Sequence, residues 1–197
     1  MKKVILSLAL LASLTSVAQA QTARFGVKAG ANLANISGKD TEDAKNLVGL
    51  SAGIMADVSF SDLISFHPEL LYSQKGAKYE SGGVTGQVRT SYLDLPLLLR
   101  VKADGLFFEA GPQVGFLIGQ KSEVTIPGLG TRSSTSTDGT RKVDLGYIAG
   151  VGYQLASGLE LGVRYNGGIS DLNDPSSGDK TRNSVFQFQV GYLFGGK

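Results

Sequence analysis

The sequence predicts an all-β chain: an eight-stranded antiparallel up-and-down transmembrane β-barrel with short periplasmic turns and long outer loops. Three observations predict this fold. Eight segments alternate apolar and polar side chains with the period of two that a strand with two unlike faces requires. Each segment has 11 to 13 residues, long enough for a tilted strand to cross a bilayer. The links between segments alternate between short and long, as in membrane barrels.

The first four segments each place apolar side chains on one face and glycine or polar side chains on the other. They are Arg24–Asn35, Val48–Phe60, Ile64–Lys75 and Thr90–Val101. In the fourth segment, for example, Asp94 lies on the polar face, between the alternate leucines of the apolar face. The four apolar faces are Phe25, Val27, Ala29, Ala31 and Leu33; Leu50, Ala52, Ile54, Ala56, Val58 and Phe60; Phe66, Pro68, Leu70 and Tyr72; and Leu93, Leu95, Leu97 and Leu99.

The last four segments repeat this pattern, with glycine frequent on the polar face. They are Leu106–Ile118, Val143–Tyr153, Leu159–Ile169 and Ser184–Phe194. Glycine leaves room for larger neighbours, which suits a narrow interior. The apolar faces are Phe108, Ala110, Pro112, Val114, Phe116 and Ile118; Leu145, Tyr147, Ala149, Val151 and Tyr153; Leu161, Val163 and Tyr165; and Phe186, Phe188, Val190, Tyr192 and Phe194.

The connections between the segments fall into two classes. The short ones are Ser61–Leu63, Lys102–Gly105 and Gln154–Gly158, and the long polar ones are Ile36–Leu47, Gly76–Arg89, Gly119–Lys142 and Ser170–Asn183. Transmembrane barrels have short periplasmic turns and longer outer loops. Because the chain starts and ends on the short-turn side, we expect both termini in the periplasm.

A soluble eight-stranded barrel also alternates, but it keeps its apolar face inside. Here the polar face carries few charges and many glycines, which is unusual for a surface in water. Aromatic residues of the apolar face also lie near both strand ends, as at two bilayer interfaces. The sequence therefore predicts lipid outside, with aromatic belts of Phe25, Phe60, Tyr72, Phe108, Phe116, Tyr147, Tyr153, Tyr165, Phe186, Tyr192 and Phe194.

The polar face then lines the barrel interior, the lumen. An eight-stranded barrel is only wide enough for its own side chains to fill. Mixed acids and bases in so narrow a space are expected to pair and close it, although charge rings can instead select ions. We favour the closed lumen, with a polar network of Lys28, His67, Glu69, Lys75, Asp94, Arg100, Glu109, Gln113, Asp144, Glu160, Arg164, Gln187 and Gln189.

Three prolines conflict with a regular closed barrel. Pro68, Pro96 and Pro112 lie inside three successive segments. Proline lacks the N–H group that a strand interior uses, so it is found mainly at edges and bulges. We therefore expect a β-bulge at each proline, which leaves the strand register there, and the inward direction of Arg100, open.

The first twenty residues have the pattern of a signal peptide. Lys2 and Lys3 precede an apolar run that is too short to span a bilayer, and Ala18 and Ala20 supply the small-x-small cleavage site. We expect cleavage after Ala20 and a mature barrel domain over residues 21–197. Without the two lysines, the 19 Lys and Arg residues fall to 17, which equals the 17 Asp and Glu residues. A neutral mature chain argues against binding to nucleic acid.

Composition excludes several kinds of site. There is no cysteine, so disulfides, thiolate metal sites and cysteine nucleophiles are absent, and the single histidine leaves little for an imidazole site. We expect no cofactor and no metal. Two groupings deserve comparison with catalysis or binding. Ser65, His67 and Glu69 have the residue types of a catalytic relay but poor spacing for one along a strand. A second set can offer oxygen ligands to calcium, although turn chemistry explains it more simply: Asp171, Asn173, Asp174 and Asp179 in the last long link, with Asp40, Glu42 and Asp43 in the first.

Several stretches resemble a known family. They are HPELLYSQKG, SYLDLPLLLRVK, FFEAGPQVGFLIG, DLGYIAGVGYQLASGLELGVRYNGGISDL and the final VGYLFG. Together they are similar to the outer-membrane β-barrel domain family of Gram-negative bacteria, often labelled "porin family protein". The resemblance covers Phe25 to Phe194 and implies an outer-membrane location, but no common reaction. The end of the last segment also resembles the signal that the barrel-assembly machinery recognises, except that three residues follow Phe194.

The expected function is structural or interactive, through the four outer loops, and not enzymatic. Loops on a rigid scaffold usually carry function, and the long link Gly119–Lys142 is the leading candidate for a contact surface. Two alternatives stay open: a narrow passive channel for ions or small solutes, and an enzyme acting on lipid or peptide at the barrel rim. The expected partners are outer-membrane lipid and, during biogenesis, the barrel-assembly machinery. The sequence names no surface partner.

Overall fold

The computed structural model describes residues 22–38, 44–137, 140–172 and 181–195, and it is built from β-strands. In these ranges, no helix is long and apolar enough to cross a membrane. The strands are β1 (Thr22–Gly38), β2 (Ala44–Ser59), β3 (Ile64–Ser81), β4 (Val84–Ala103), β5 (Leu106–Ile126), β6 (Gly130–Thr135), β7 (Val143–Gln154), β8 (Leu159–Gly168) and β9 (Thr181–Leu193).

Eight of these strands form a closed antiparallel ring. Each pairs with its neighbour along the chain, β5 pairs with β7, and the pairing of β1 with β9 closes the ring. The predicted eight-stranded up-and-down barrel is confirmed. The additional strand β6 was not predicted. Within the described residues it pairs only with β5, outside the ring.

The barrel has two unlike ends. At the short-turn end, the amide of Phe194 donates to the carbonyl of Phe25, so both ends of the described chain meet there. A two-residue turn at Asp104 and Gly105, with φ of 49° and 86°, joins β4 to β5. Asp and Gly tolerate these left-handed angles, which match the twist of a tight hairpin.

At the other end, which we call the extended end, strands continue where loops were predicted. The predicted link Gly76–Arg89 is instead a β3–β4 hairpin with its turn at Gly82 and Gly83. The predicted link Gly119–Lys142 contains the end of β5 and all of β6. Valine, threonine and tyrosine in these links favour strands, and cross-strand pairing outweighs their glycine content. We call the projecting part, residues 44–46, 76–90, 119–126 and 130–135, the outer sheet.

The prediction of bulges at the three prolines is wrong. Pro68 pairs with Leu97, and the register of β3 with β4 is the same on either side of Pro96. Each proline leaves a short gap in pairing with the preceding strand without moving the register, because the flanking pairs hold the strands in place. Register shifts occur instead between Asn46 and Ser51 and between Ser91 and Tyr92. Both lie where the outer sheet leaves the ring, which is where a bulge can bend a strand.

Burial is inverted relative to a soluble barrel. Leu50 and Phe186 on the outward face are 63% and 60% exposed, whereas Arg100 and His67 inside are 0% exposed. With the register continuous, Arg100 points inward. An apolar exterior around a polar interior is the arrangement of a barrel surrounded by lipid.

Candidate functional site: the lumen and the outer sheet

The structure buries every side chain that the sequence analysis placed in the lumen. They come from strands all around the ring. All of them except His67 belong, with further buried side chains, to three groups that we name by position. The central cluster comprises Lys28, Glu69, Arg100, Glu109, Glu160, Arg164 and Gln189; the amide layer comprises Asn32, Ser51, Ser73, Gln113, Asn166 and Gln187; the outer cluster comprises Lys75, Tyr92, Asp94, Asp144 and Asn183.

Arg100 anchors one side of the central cluster. Its guanidinium donates at 2.8 Å to Glu109 and at 2.8 Å to Glu160. The same guanidinium lies 3.9 Å from the centre of the Phe107 ring, a cation–π contact. Gly152 makes room for that ring, because an added Cβ would lie 2.3 Å from Phe107 Cζ. A glycine on the lumen face thus permits a large side chain opposite.

Lys28 and Arg164 complete the central cluster. Lys28 Nζ lies 2.5 Å from Glu69 and 3.2 Å from Glu160. Arg164 lies 2.8 Å from Glu69 and 3.7 Å from Glu109. Three cations therefore face three carboxylates, so the cluster is electrically balanced. Buried charges are tolerated when they are paired and hydrogen-bonded in this way.

The amide layer lies next to the central cluster. Gln187 accepts a hydrogen bond from Arg164 and donates at 2.7 Å to both Asn32 and Ser51. Asn166 donates at 2.7 Å to Gln113. These neutral groups continue the network across the lumen without adding charge.

The outer cluster lies nearer the extended end. Lys75 Nζ is 3.1 Å from Asp94 and 3.5 Å from Asp144, and it lies 4.7 Å from the centre of the Tyr92 ring. Asn183 donates at 2.8 Å to Asp144. One lysine therefore holds two carboxylates together across β4 and β7.

A fourth group lies towards the short-turn end, where Asp57 accepts several hydrogen bonds. The Ser65 hydroxyl donates to it at 2.8 Å, His67 Nδ1 lies 3.3 Å away, and Lys102 also pairs with it. His67 Nε2 lies 3.4 Å from Glu69. The Ser65 hydroxyl is thus bonded to Asp57 and not to His67. The geometry of a serine activated by histidine, in which the hydroxyl donates to the imidazole, is not formed by Ser65, His67 and Glu69.

Cavities lie at both ends of the lumen. At the short-turn end, a cavity of about 800 Å³ is lined by residues that include Asp57, Lys102 and Phe107. At the extended end, a cavity of about 160 Å³ is lined by residues that include Tyr92 and Asn183. The central cluster and the amide layer lie between them.

The residues predicted for the aromatic belts lie on the outward face. Tyr147, Tyr165 and Phe186 form a row of ring contacts towards the extended end, with ring centres 6.1 and 5.2 Å apart. Tyr192 and Phe194 contact each other edge to face near the short-turn end. The remaining belt residues are also exposed: Phe25, Phe60, Tyr72, Phe108, Phe116 and Tyr153.

The outer sheet carries exposed ion pairs. Glu80 accepts from Lys45 and Lys78, each at 2.5 Å, and these two hydrogen bonds lower the pKa of Glu80 to about 2. Glu123 pairs with Lys121 at 2.5 Å and also accepts from Gln87, and both hydrogen bonds lower its pKa. Both glutamates are therefore ionised at neutral pH.

Sequence reasoning missed part of the interior. Asn32, Asp57 and Asn183 belong to the network but were not among the predicted lumen residues, although Asn32 and Asp57 lie on the polar faces of their segments; Asn183 fell in a predicted loop. Lys102 was placed in a turn, although it continues the alternation from Arg100. The interior also contains the apolar side chains of Met55, Leu71, Leu98 and Ile148, of which the sequence pattern assigned only Met55 to the polar face.

Some predicted positions lie outside the described residues. They are the cleavage-site residues Ala18 and Ala20 and most of the acidic loop residues considered for calcium. Within the described ranges, no three or more His, Asp or Glu side chains are grouped to hold a metal ion.

Comparisons with known proteins agree with this architecture. The sequence matches the family described as outer membrane protein beta-barrel domain over residues 18–174, and no curated protein matches it. Neisserial surface protein A is 19% identical, with 88% of this chain and 99% of that chain covered and a TM-score of 0.50. Ail of Yersinia pestis, in complex with the heparin analogue sucrose octasulfate, is 15% identical, with 87% and 99% covered and a TM-score of 0.50. These likenesses show the fold. The chain belongs to the outer membrane protein β-barrel domain family and lies in the outer membrane of a Gram-negative bacterium.

Proposed function

We propose that this protein is a closed outer-membrane barrel that acts through its outer sheet and loops and not through its lumen. The observation that carries this proposal is the central cluster. Its three cations and three carboxylates come from β1, β3, β4, β5 and β8 and meet inside the ring. Such a cluster joins opposite walls of the barrel.

The closed state is favoured by electrostatics. Opening a path through the central cluster would separate buried ion pairs, and an unpaired buried charge costs several kcal/mol. Water entering the lumen would offset part of that cost, but an eight-stranded interior has little room for it. A closed lumen leaves the exposed surfaces to carry the function.

The outer sheet is the most developed of those surfaces. Outer-membrane barrels have their longer connections on the cell exterior, so the extended end faces outward. Strand pairing stiffens residues 76–90 and 119–135 into a platform beyond the barrel, and loops or hairpins on a rigid scaffold are common sites of recognition.

Conductance of the refolded protein in planar bilayers tests the closed state. We expect no steady open level for wild type. Arg164→Ala should produce openings, because it leaves Glu69 without one of its two cations. Arg132→Ala, which removes a cation from the exposed strand β6, is the matched control and should stay silent. A steady open level in wild type would overturn the closed state.

A narrow channel is the second candidate, and the cavities at the two ends of the lumen favour it. The side chains that separate these cavities include the central cluster and the amide layer. A channel predicts steady wild-type conductance that changes its ion selectivity in Arg164→Ala.

The role of the outer surface can be tested by shortening the connection between β5 and β7. Leu117 and Lys142 are adjacent, since the amide of Leu117 donates at 2.8 Å to the carbonyl of Lys142. Replacing residues 120–141 by a short Gly-Ser linker should therefore leave the ring intact. We expect this variant to fold. In a strain that lacks the gene and has an envelope defect, such as increased entry of a large antibiotic, we expect the variant to leave that defect uncorrected. Full restoration by the shortened chain would contradict a role for this surface.

We propose no catalytic role, because the Ser65 hydroxyl is bonded to Asp57 inside the barrel. Recognition by the barrel-assembly machinery during biogenesis stays a prediction from the final strand.

A further inference from the structure

Two pairs of cations lie directly opposite each other in the outer sheet. Lys45 of β2 is paired with Lys78 of β3, and Arg89 of β4 is paired with Lys121 of β5. Like charges at directly opposed positions repel and destabilise a sheet. Two such pairs on neighbouring strands suggest a surface that is completed by an anion.

The direction of these side chains is fixed by the residues next to them. Ala77, Val88, Thr90 and Gln120 line the cavity above the lumen. Because successive side chains of a strand point to opposite faces, Lys78, Arg89 and Lys121 point outward. Lys45 points the same way, since directly opposed residues share a face. We call Lys45, Lys78, Arg89 and Lys121 the lateral cationic patch.

The patch adjoins the outer aromatic belt. Arg89 donates at 3.0 Å to the side-chain oxygen of Gln74, and Gln74 donates at 3.1 Å to the hydroxyl of Tyr72. Tyr72 is a belt residue of the lipid-facing surface. The patch therefore lies just beyond the apolar band, beside the barrel, at the level where lipid headgroups surround it.

The charges of this face do not balance within the described residues. Glu80 and Glu123 offset two of the four cations and leave a net charge of about two positive units, since both glutamates are ionised. Two further exposed cations, Arg141 and Arg182, lie at the same end, and Arg182 points outward because its neighbour Asn183 in β9 is buried.

The short-turn end differs. There, Arg24 donates to the backbone carbonyl of Leu193, and Lys102 pairs with Asp57. With these two cations, three carboxylates line the cavity at the short-turn end: Asp57, Asp62 and Asp104. Within the described residues, the excess of positive charge therefore lies at the extended end.

We propose that the lateral cationic patch binds the phosphate groups of the glycolipid in the outer leaflet. Phosphate oxygens accept strong charge-assisted hydrogen bonds from arginine and lysine. Basic clusters that adjoin a membrane-spanning segment attract anionic headgroups in the same way. The patch points sideways from the barrel, towards the surrounding lipid. A soluble polyanion would instead approach along the barrel axis from the cell exterior. This inference needs only the placement in the membrane and is independent of whether the lumen conducts.

Lipid retention by the full-length protein tests the proposal. The protein is refolded in phosphatidylcholine vesicles that contain equal amounts of lipid A and enzymatically dephosphorylated lipid A. Bound lipids are then counted by native mass spectrometry after gentle extraction. We expect wild type to retain the phosphorylated form at least fivefold over the dephosphorylated form, and this preference to fall as salt rises.

Variants distinguish binding by the patch residues from a general effect of positive charge at the extended end. Arg89→Gln with Lys121→Gln should abolish the preference, and Arg89→Lys, which keeps the charge, should retain most of it. The matched control is Arg132→Gln with Lys142→Gln, which removes two exposed cations at the same end that are not part of the patch. Arg132 shares the face of Val124, opposite to the patch, and Lys142 lies outside the strands and donates to Thr137. The control should behave as wild type. Gel mobility of the folded form verifies that each variant folds.

Three results would overturn the proposal. The first is wild type without a preference for the phosphorylated lipid, and the second is equal loss of preference in the patch variant and the control. The third is a patch variant that keeps its lipid preference but loses binding to sucrose octasulfate in solution, since the patch would then serve a soluble polyanion. Each result is distinct from the conductance outcome, so the lumen proposal can fail or succeed separately.

Discussion

The central cluster and the outer sheet both bring lysine or arginine within 2.5 to 2.8 Å of glutamate, but in opposite surroundings. In the central cluster the charges are buried and equal in number. In the outer sheet they are exposed, and cations outnumber carboxylates. A buried charge must be paired inside the protein, whereas an exposed charge is free to bind something else. The same ion pair therefore holds the barrel closed in one region and leaves a binding surface in the other.

Removing one cation from each region should produce the largest contrast. Arg100→Met keeps most of the side-chain volume but leaves Glu109 and Glu160 without their shortest ion pair. We expect the free energy of unfolding to fall by about 3–5 kcal/mol, the usual cost of breaking a buried pair by removing one partner. Urea titration of the protein in lipid vesicles, followed by the gel mobility of the folded and unfolded forms, measures this change.

The matched control is Arg132→Met, an exposed cation on β6. Its unfolding midpoint should not change measurably, because an exposed charge loses little when it is removed. Equal shifts for the two variants would contradict the difference between the regions.

The second prediction compares two half-buried valines of the wall and the outer sheet. Val114 of β5 lies on the lipid-facing side of the barrel, and Val84 of β4 lies beside the hairpin turn of the outer sheet. Val114→Arg should lower the stability in lipid by about 2–4 kcal/mol, the cost of a cation near the middle of the bilayer. Val84→Arg should cost much less, because its charge stays in water. Vesicle refolding yields measure both, and similar losses would show that the membrane boundary is misplaced.

Sequence reasoning succeeded in the ring for a simple physical reason. A wall with lipid on one side and a narrow polar interior on the other imposes strict alternation, so each strand can be recognised from its own sequence. Lys28 and Glu160 could be placed inside from their own strands alone. Nothing in the alternation, however, shows that Lys28 lies 3.2 Å from Glu160. That contact depends on the stagger between distant strands, which period-two patterns do not encode.

The outer sheet was missed because, beyond Gly76, Ala77 and Thr90, none of its residues is buried. Without a continuous buried face, Gly76–Arg89 shows no clear alternation, and its glycines and polar residues suggest a loop. The bulges were misplaced for a related reason. A proline such as Pro96 removes one hydrogen bond, but the neighbouring pairs of a closed ring keep the strands in register.

The third prediction concerns His67, whose role in the lumen is either structural or catalytic. Its two ring nitrogens lie 3.3 Å from Asp57 and 3.4 Å from Glu69. His67→Gln keeps a donor that can reach one of these carboxylates, so we expect stability to change by about 1 kcal/mol or less, the value of a single hydrogen bond. Vesicle unfolding in urea gives this number. A loss as large as that of Arg100→Met would place His67 among the residues that hold the barrel closed.

The same variant tests for catalysis. A general base removed by His67→Gln would cost about two to four orders of magnitude in rate while the fold survives. The Ser65 hydroxyl donates to Asp57, so no activated nucleophile faces His67, and Ser65 itself is fully buried. We therefore expect cells that express wild type, His67→Gln or Ser65→Ala to have the same lipid A and phospholipid profiles. A lipid species present with wild type and absent with both variants would show that these buried side chains perform chemistry on the membrane.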